Sequence, residues 1–168
     1  MDMRVNIGCG DCYAPGWLNV DATNHRRIRK DMLGDVVAGL DLPDGCAEAV
    51  YLGHVLEHIS LDDVDTAMRE VVRLLAPGGE VMAVGPDCDR ARASGDRNLV
   101  AACVNGGGRW AHDVHLWEST EGALVKILTD AGLTDVEAVP IRDVRGRGDW
   151  PLVDDVWWQA AAYGRKPE

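Results

Sequence analysis

The sequence contains no phenylalanine, and no apolar stretch approaches the roughly 18 residues needed to span a bilayer. Its opening, MDMRVNIGCG, lacks the long apolar run of a secretory leader. These absences argue against a membrane-spanning or exported chain and lead to the expectation of a cytoplasmic protein. Internal repeats, low-complexity tracts and linkers are also missing, so the 168 residues read as one domain. A domain of that size buries about 68–70% of its unfolded surface, enough for a full core. Basic residues are scarce: 17 Lys and Arg stand against 28 Asp and Glu, and the formal charge of −11 disfavours a polyanionic partner such as nucleic acid. The basic cluster at 24–30 (NHRRIRK) and the trio Arg142, Arg145 and Arg147 read as solvated faces. Five cysteines, an odd number without a secretory mark, argue for reduced thiols rather than a disulfide framework.

What is present is an alternation of short apolar runs and amphipathic stretches. Strands are expected at MRVNI (Met3–Ile7), at 17–21 (WLNVD, ending on a carboxylate), within 26–32 (RRIRKDM) and at 47–54 (AEAVYLGH). Ser60 followed by Asp63 resembles a capping box, and Leu61, Val64, Met68, Val71, Val72 and Leu75 recur on one helical face. Pro77, Gly78 and Gly79 are expected to stop that helix before a strand at 80–87 (EVMAVGPD), which makes a right-handed parallel crossover. Residues 88–117 are polar and irregular around one short helix at 98–104. A second amphipathic helix follows from Ser119, with Leu124, Ile127, Leu128 and Ala131 inward and Gly132 as its stop. Strands at 136–141 and 156–164 close the chain. The alternation implies one α/β sheet covered on both faces.

Gly8-Cys9-Gly10 follows the first strand, where two residues without a Cβ let the backbone approach a ligand closely. Asp21, ending the next strand, is placed to hold a ribose diol. It lies only 11 residues beyond Gly10, against about 20 in the dinucleotide fingerprint, and no third glycine completes that motif. An adenosine ligand without a pyrophosphate fits better. Cys9 and Cys12 then belong to a cofactor loop rather than a redox or zinc pair, and Cys46, Cys88 and Cys103 have no metal-ligand spacing. HVLEH (residues 54–58) also matches the H-x-x-E-H zinc-protease signature with Glu57 as general base, and His112 or His115 as a further ligand source. That reading requires a helix on both sides of His54, whereas AEAVYLGH looks like a strand ending there.

VNIGCG, GWLNVD, GHVLEH and RLLAPGGEVMAVGPD, in this order, resemble the short class I S-adenosylmethionine-dependent methyltransferases of the type 11-like group. Those sequences read LNxGCG, GWxNVD, SHVLEH and LKPGGxLxxxVPD. LTDAGLTDVEAV and AYGRKP resemble the family's closing helix and strands. The resemblance implies a Rossmann-like α/β fold: a mostly parallel seven-strand sheet of order 3-2-1-4-5-7-6, helices on both faces, and S-adenosylmethionine at the carboxyl ends of strands one to four. By position, Gly8, Cys9 and Gly10 would pass under the methionine part, Asp21 would bind the ribose hydroxyls, and Asp35 with the Val36 N–H would hold the adenine. Asn6 stands where many members carry an acidic residue and keeps a hydrogen-bond acceptor there. Gly53 and His54 would lie beside the sulfonium, with His58 facing the substrate.

His112 and His115 would line the opposite wall, so that His54, His58, His112 and His115 are the candidate catalytic residues; each of the first two can equally cap backbone groups. The expected domain is 1–168, with 88–117 as a substrate-side insertion. The glycine loop arrives by residue 8, so the roof that many members place before the first strand must come from 88–117, from 141–151 or from another subunit of a homodimer. Trp110, Trp117 and Trp150 lie in or beside these segments and can stack on a substrate or pack in the core. The function implied is methyl transfer to oxygen or nitrogen of a small-molecule or sugar acceptor, releasing S-adenosylhomocysteine, with no metal assigned. The alternatives are a non-catalytic cofactor-binding regulatory or assembly module and, third, the zinc hydrolase.

Overall fold

The computed structural model describes residues 3–107, 113–151 and 156–168. Along the chain run β1 (Met3–Ile7), β2 (Leu18–Asp21), β3 (Met32–Leu33), β4 (Ala47–Gly53), α1 (Leu61–Leu74), β5 (Leu75–Pro86), α2 (Cys88–Ser94), α3 (Arg97–Asn105), α4 (Glu121–Asp130), β6 (Thr134–Val139) and β7 (Gln159–Arg165). Two 3-10 segments, Leu56–His58 and Ile141–Arg147, complete the list. The strands form one sheet of order β3-β2-β1-β4-β5-β7-β6. β3 through β5 pair in parallel, and β7 runs antiparallel between β5 and β6. The expected strand order is therefore the observed one. No helix among the described residues is long and apolar enough to cross a membrane.

Strand side chains alternate between two unlike layers. Val5, Ile7, Val50, Leu52, Val81 and Ala83 face α1 and α4, whose Val64, Met68, Val71, Leu74, Leu124 and Leu128 close the main core. At about 1.5–3 kcal/mol for each fully buried aliphatic side chain, this layer is the main source of stability. On the other face Tyr51, Met82, Val84 and Tyr163 lie beneath Trp17, Trp150 and the 3-10 segment through Ile141 and Val144. Both faces are thus covered, the second by a 3-10 helix and tryptophans. In a chain without phenylalanine, Trp17 and Trp150 supply the bulk there, with ring centroids 5.7 Å apart. Trp17 Nε1 donates to the Asp149 carbonyl at 3.0 Å, fixing the β6–β7 connection.

Several local expectations are corrected. The third strand is confined to Met32–Leu33, since Arg26, Arg27 and Arg29 before it are exposed and leave only a short edge. Leu61 is 62% exposed because it occupies the first helical position, ahead of the buried stripe. Ser60 makes no cap to backbone; its hydroxyl donates to Asp63 Oδ2 at 2.7 Å. Leu75 leaves the helix and opens β5, so Pro77, Gly78 and Gly79 lie within the strand, where its register against β4 shifts between Ala47 and Ala49. α2 was not anticipated. Its start is set by Asp87, whose carboxylate accepts from the Asp89 and Arg90 amides.

Candidate functional site

β1 runs straight into the glycine loop. Gly8 has φ +66°, and a Cβ there would lie 2.4 Å from Val55 Cγ2, so both the backbone angle and the space demand glycine. Gly10 has φ +48°, but a Cβ there would meet nothing nearer than 4.0 Å. The chain returns from Gly8 to β2 without a helix, and side chains satisfy the backbone groups that a helix would have paired. Asn19, fully buried, accepts from Ala14 N at 2.8 Å and donates to the Ala14 and Trp17 carbonyls at 3.0 and 2.8 Å. It also donates to Asp31 Oδ2 at 2.9 Å. Asn6 donates to the Cys12 carbonyl at 3.0 Å and to Asn19 Oδ1 at 2.9 Å. The Asn6 amide thus braces the loop, although the residue still borders the cleft.

Asp21 is 7% exposed; its Oδ2 accepts from Gly10 N at 2.8 Å and its Oδ1 from Thr23 N at 2.7 Å. Asp35 accepts from Val37 N at 2.9 Å on the surface, and Val36 packs in the core. A cleft of about 490 Å³ opens at the carboxyl ends of β1, β4 and β5. Of the expected cofactor residues, Asn6, Gly8, Cys9, Gly53 and His54 line it, whereas Gly10, Asp21, Asp35 and Val36 stand apart from its lining. Burial, reinforced by the Asp21 charge, pushes the Cys9 thiol up to about 11, which makes it a poor nucleophile at neutral pH. None of the five cysteines is in a disulfide. A second cavity, about 410 Å³, lies at the opposite end of the sheet beside Arg4, Glu48 and Arg147 and contains none of the expected site residues.

His54 follows β4 with φ +55°, a left-handed conformation uncommon outside glycine. Its Nδ1–H donates to Glu57 Oε1 at 3.0 Å, which leaves Nε2 to accept from Gln159 Nε2 at 2.7 Å. Both ring nitrogens are engaged. Gln159 Oε1 is buried without a partner among the described residues. Burial by itself would raise the carboxyl of Glu57, which is 1% exposed; the His54 hydrogen bond and the neighbouring imidazoles of His54 and His58 outweigh it and hold the group below its ordinary value. His58 and His115 meet edge to face with ring centroids 4.9 Å apart. Their Nδ1 atoms bond the carbonyls of Val114 (3.0 Å) and Cys103 (2.6 Å). His112 and Trp110 lie outside the described residues.

The helical H-x-x-E-H signature is not formed. His54 caps a strand, and only Leu56–His58 turns, as a 3-10 segment. The gathered set is instead Glu57, His58 and His115, one ligand atom of each lying within 4.8 Å of the others. Glu57 as a buried link and Gln159 as the partner of His54 were not legible in the motifs, because Gln159 enters from β7 at the far end of the chain.

Residues 19–83 match the family model for a methyltransferase domain. Solved structures of very low sequence identity share the fold. A SAM-dependent methyltransferase from Archaeoglobus fulgidus superposes with a TM-score of 0.67 at 15% identity, over 98% of this chain and 86% of that one. The chain thus has the fold of these methyltransferases, and the methyltransferase-domain model matches its segment 19–83. A second structure of this fold, from Methanosarcina mazei, gives 0.63 at 14% identity over 99% and 92% of the two chains. The methyltransferase SibL gives 0.61 at 17% identity, and there the present chain spans only 51% of the other's length. Comparison with curated proteins finds no match.

Proposed function

We propose that this protein transfers a methyl group from S-adenosylmethionine to oxygen or nitrogen of a small-molecule or sugar acceptor. One observation carries the reading: the glycine loop and the His54–His58 turn meet at the carboxyl ends of β1 and β4, where the strand order reverses and open α/β sheets take their ligands. The backbone at Gly8 and the open space over Gly10 fit the methionine part of the cofactor. A cleft of about 490 Å³ falls within the range for small-molecule sites. When bound, the cofactor supplies an electrophilic methyl group on a sulfonium.

The chain's own contribution is then mainly alignment. Asp21 fixes the Gly10 amide and, in this reading, offers its remaining lone pairs to the ribose hydroxyls, with Asp35 and Val36 toward the adenine. His54, tied at both nitrogens, is a positioning residue. His58 and His115 keep Nε2 to orient an acceptor or take its proton, and 88–117 forms the acceptor-side wall, with His112 assigned to it. Alignment supplies about 7–11 kcal/mol of barrier reduction. A general base adds roughly 3–5 kcal/mol, so these imidazoles are the smaller term. A second reading, a cofactor-binding module without catalysis, draws on His54, whose engaged ring is no free base.

Calorimetric titration with S-adenosylmethionine and S-adenosylhomocysteine, with Asp21→Ala as control, tests the proposal. Micromolar binding lost in the variant supports it; no binding of either compound by the wild type overturns it. Once binding is established, formation of S-adenosylhomocysteine in the presence of pooled cell-extract acceptors separates the enzyme from the module.

A further inference from the structure

Glu57, His58 and His115 come from two segments, the 3-10 turn after β4 and the stretch following α3, yet one ligand atom of each lies within 4.8 Å of the other two. Two imidazoles and a carboxylate are a recurring donor set for transition metals. The surroundings of these three side chains independently suit that use. His58 Nδ1–H donates to the Val114 carbonyl and His115 Nδ1–H to the Cys103 carbonyl, which leaves Nε2 of each unprotonated and able to ligate. The Glu57 carboxylate, buried to 1% exposure, receives the His54 N–H on Oε1, which orients it and leaves Oε2. Every member thus has the outer hydrogen bond that metal ligands characteristically carry.

The two segments are also locked to each other. Leu116 N donates to the Glu57 carbonyl at 2.8 Å, and Trp117 Nε1 donates to the Leu56 and Ile59 carbonyls at 3.0 and 3.1 Å. Glu57 forms the buried floor, while His58 and His115 are half-buried and border the open cleft.

We propose that Glu57, His58 and His115 bind one divalent first-row transition ion, with its remaining positions open to the cleft. Two nitrogens and one oxygen select an ion of the zinc, cobalt or iron(II) class over Mg²⁺ or Ca²⁺, which take oxygen ligands. Closing the three atoms onto bonds of about 2.0–2.2 Å takes side-chain shifts on the order of 1 Å. The ion site stands without the methyl-transfer reading, but its catalytic use rests on it. In that use the ion takes a lone pair from an acceptor hydroxyl, and the O–H proton leaves through the cleft to solvent. The oxygen then forms its bond to the methyl carbon as the carbon–sulfur bond breaks, with that electron pair staying on sulfur.

The test uses full-length protein purified without chelator or metal-affinity resin, then stripped and titrated with Co²⁺ in the absence of cofactor and acceptor. One Co²⁺ per chain is expected, with visible ligand-field absorption that Zn²⁺ displaces. His58→Ala and His115→Ala should each weaken binding by about 100-fold or more, beyond the 10–100-fold typical of outer-shell changes. His25→Ala, at a histidine outside the cleft lining, should bind as wild type. Absence of stoichiometric Co²⁺ and Zn²⁺ uptake by the wild type overturns the site, as does wild-type affinity in either cleft variant. Circular dichroism checks each variant's fold; should one unfold, X-ray absorption of the wild-type Co²⁺ form decides, with two imidazoles expected and fewer refuting the site. Calorimetry with S-adenosylmethionine on the stripped protein is read separately. Metal binding without cofactor binding removes the methyl-transfer reading alone, and the converse removes this one alone.

Discussion

Along the glycine loop, side chains serve the backbone: Asn6, Asn19 and Asp21 direct their polar atoms to loop amides and carbonyls. Across the cleft the relation is reversed, and the backbone carbonyls of Val114 and Cys103 serve the side chains of His58 and His115. The first wall is built so that a main chain can hold a shape with no helix to support it. The second is built so that imidazoles keep one orientation and one free nitrogen. The difference implies that substitutions on the first wall are read out mainly as lost stability and on the second mainly as lost chemistry.

The sharpest way to break that comparison is Asn19→Ala. It strands the half-buried Ala14 amide and the buried Trp17 carbonyl, while the Ala14 carbonyl keeps the Trp17 amide at 3.2 Å, at roughly 1–3 kcal/mol for each group left without a partner. A loss of about 3 kcal/mol or more in denaturant unfolding is expected, and a near-neutral result would mean that water replaces the side chain. Gly8→Ala comes next: the left-handed angle alone costs about 1–2 kcal/mol, and displacing Val55 adds to it. Gly10→Ala should incur only the angular cost. Measuring both by thermal melting separates crowding from conformation, and equal losses would show that the Val55 contact relaxes freely. On the opposite wall, His115→Ala should lower stability by only about 1 kcal/mol, one hydrogen bond's worth, while weakening ion binding by about 100-fold or more. A large destabilisation there would erase the contrast between the walls.

The smallest effect belongs to Asp31. Hydrogen bonds from the Asn19 side chain and backbone hold its carboxyl below the usual range. A depressed folded-state value means that its stabilisation is complete above the unfolded value of about 3.9 and is lost as pH falls through the folded one. Asp31→Asn should therefore flatten the acid limb of the stability profile below about pH 4, with little change in its shape near neutrality. Urea unfolding at a series of pH values reads this directly.

The first wall was largely legible in the sequence because it is contiguous: Gly8, Gly10 and Asp21 announce themselves by spacing, whereas the alternation of elements gave only a covered α/β sheet and the strand order came from the family resemblance. Orientation was not. Nothing in the motifs shows Asp21 turned onto Gly10 N rather than into the cleft, since that depends on where a helix-free return places the loop. Leu61 fits the apolar period yet sits outside the packed stripe, a distinction set by where α1 begins. The capping signal of Asp87 was readable before Asp89 and Arg90, but the stretch after it has little apolar periodicity to confirm a helix. The second wall could not be read because Glu57, His58, His115 and Gln159 meet only through tertiary folding. HVLEH pairs His54 with His58, whereas the fold ties His54 to Glu57 and Gln159 and sets His58 beside His115.

The brace formed by Asn6, Asn19 and Asp31 also bears on how the molecule opens. Backbone bonds within the Gly8–Trp17 return, such as Cys12 N to Cys9 O, are few, and the remainder depends on residues of β1, β2 and the stretch before β3. Such a segment is not an autonomous foldon: its amides exchange with solvent whenever the β2–β3 edge unzips, and with the same opening free energy. Whatever binds above Gly8 and Gly10 will slow hydrogen exchange along that distant edge as well, so that the sheet margin reports on the state of the cleft without touching it.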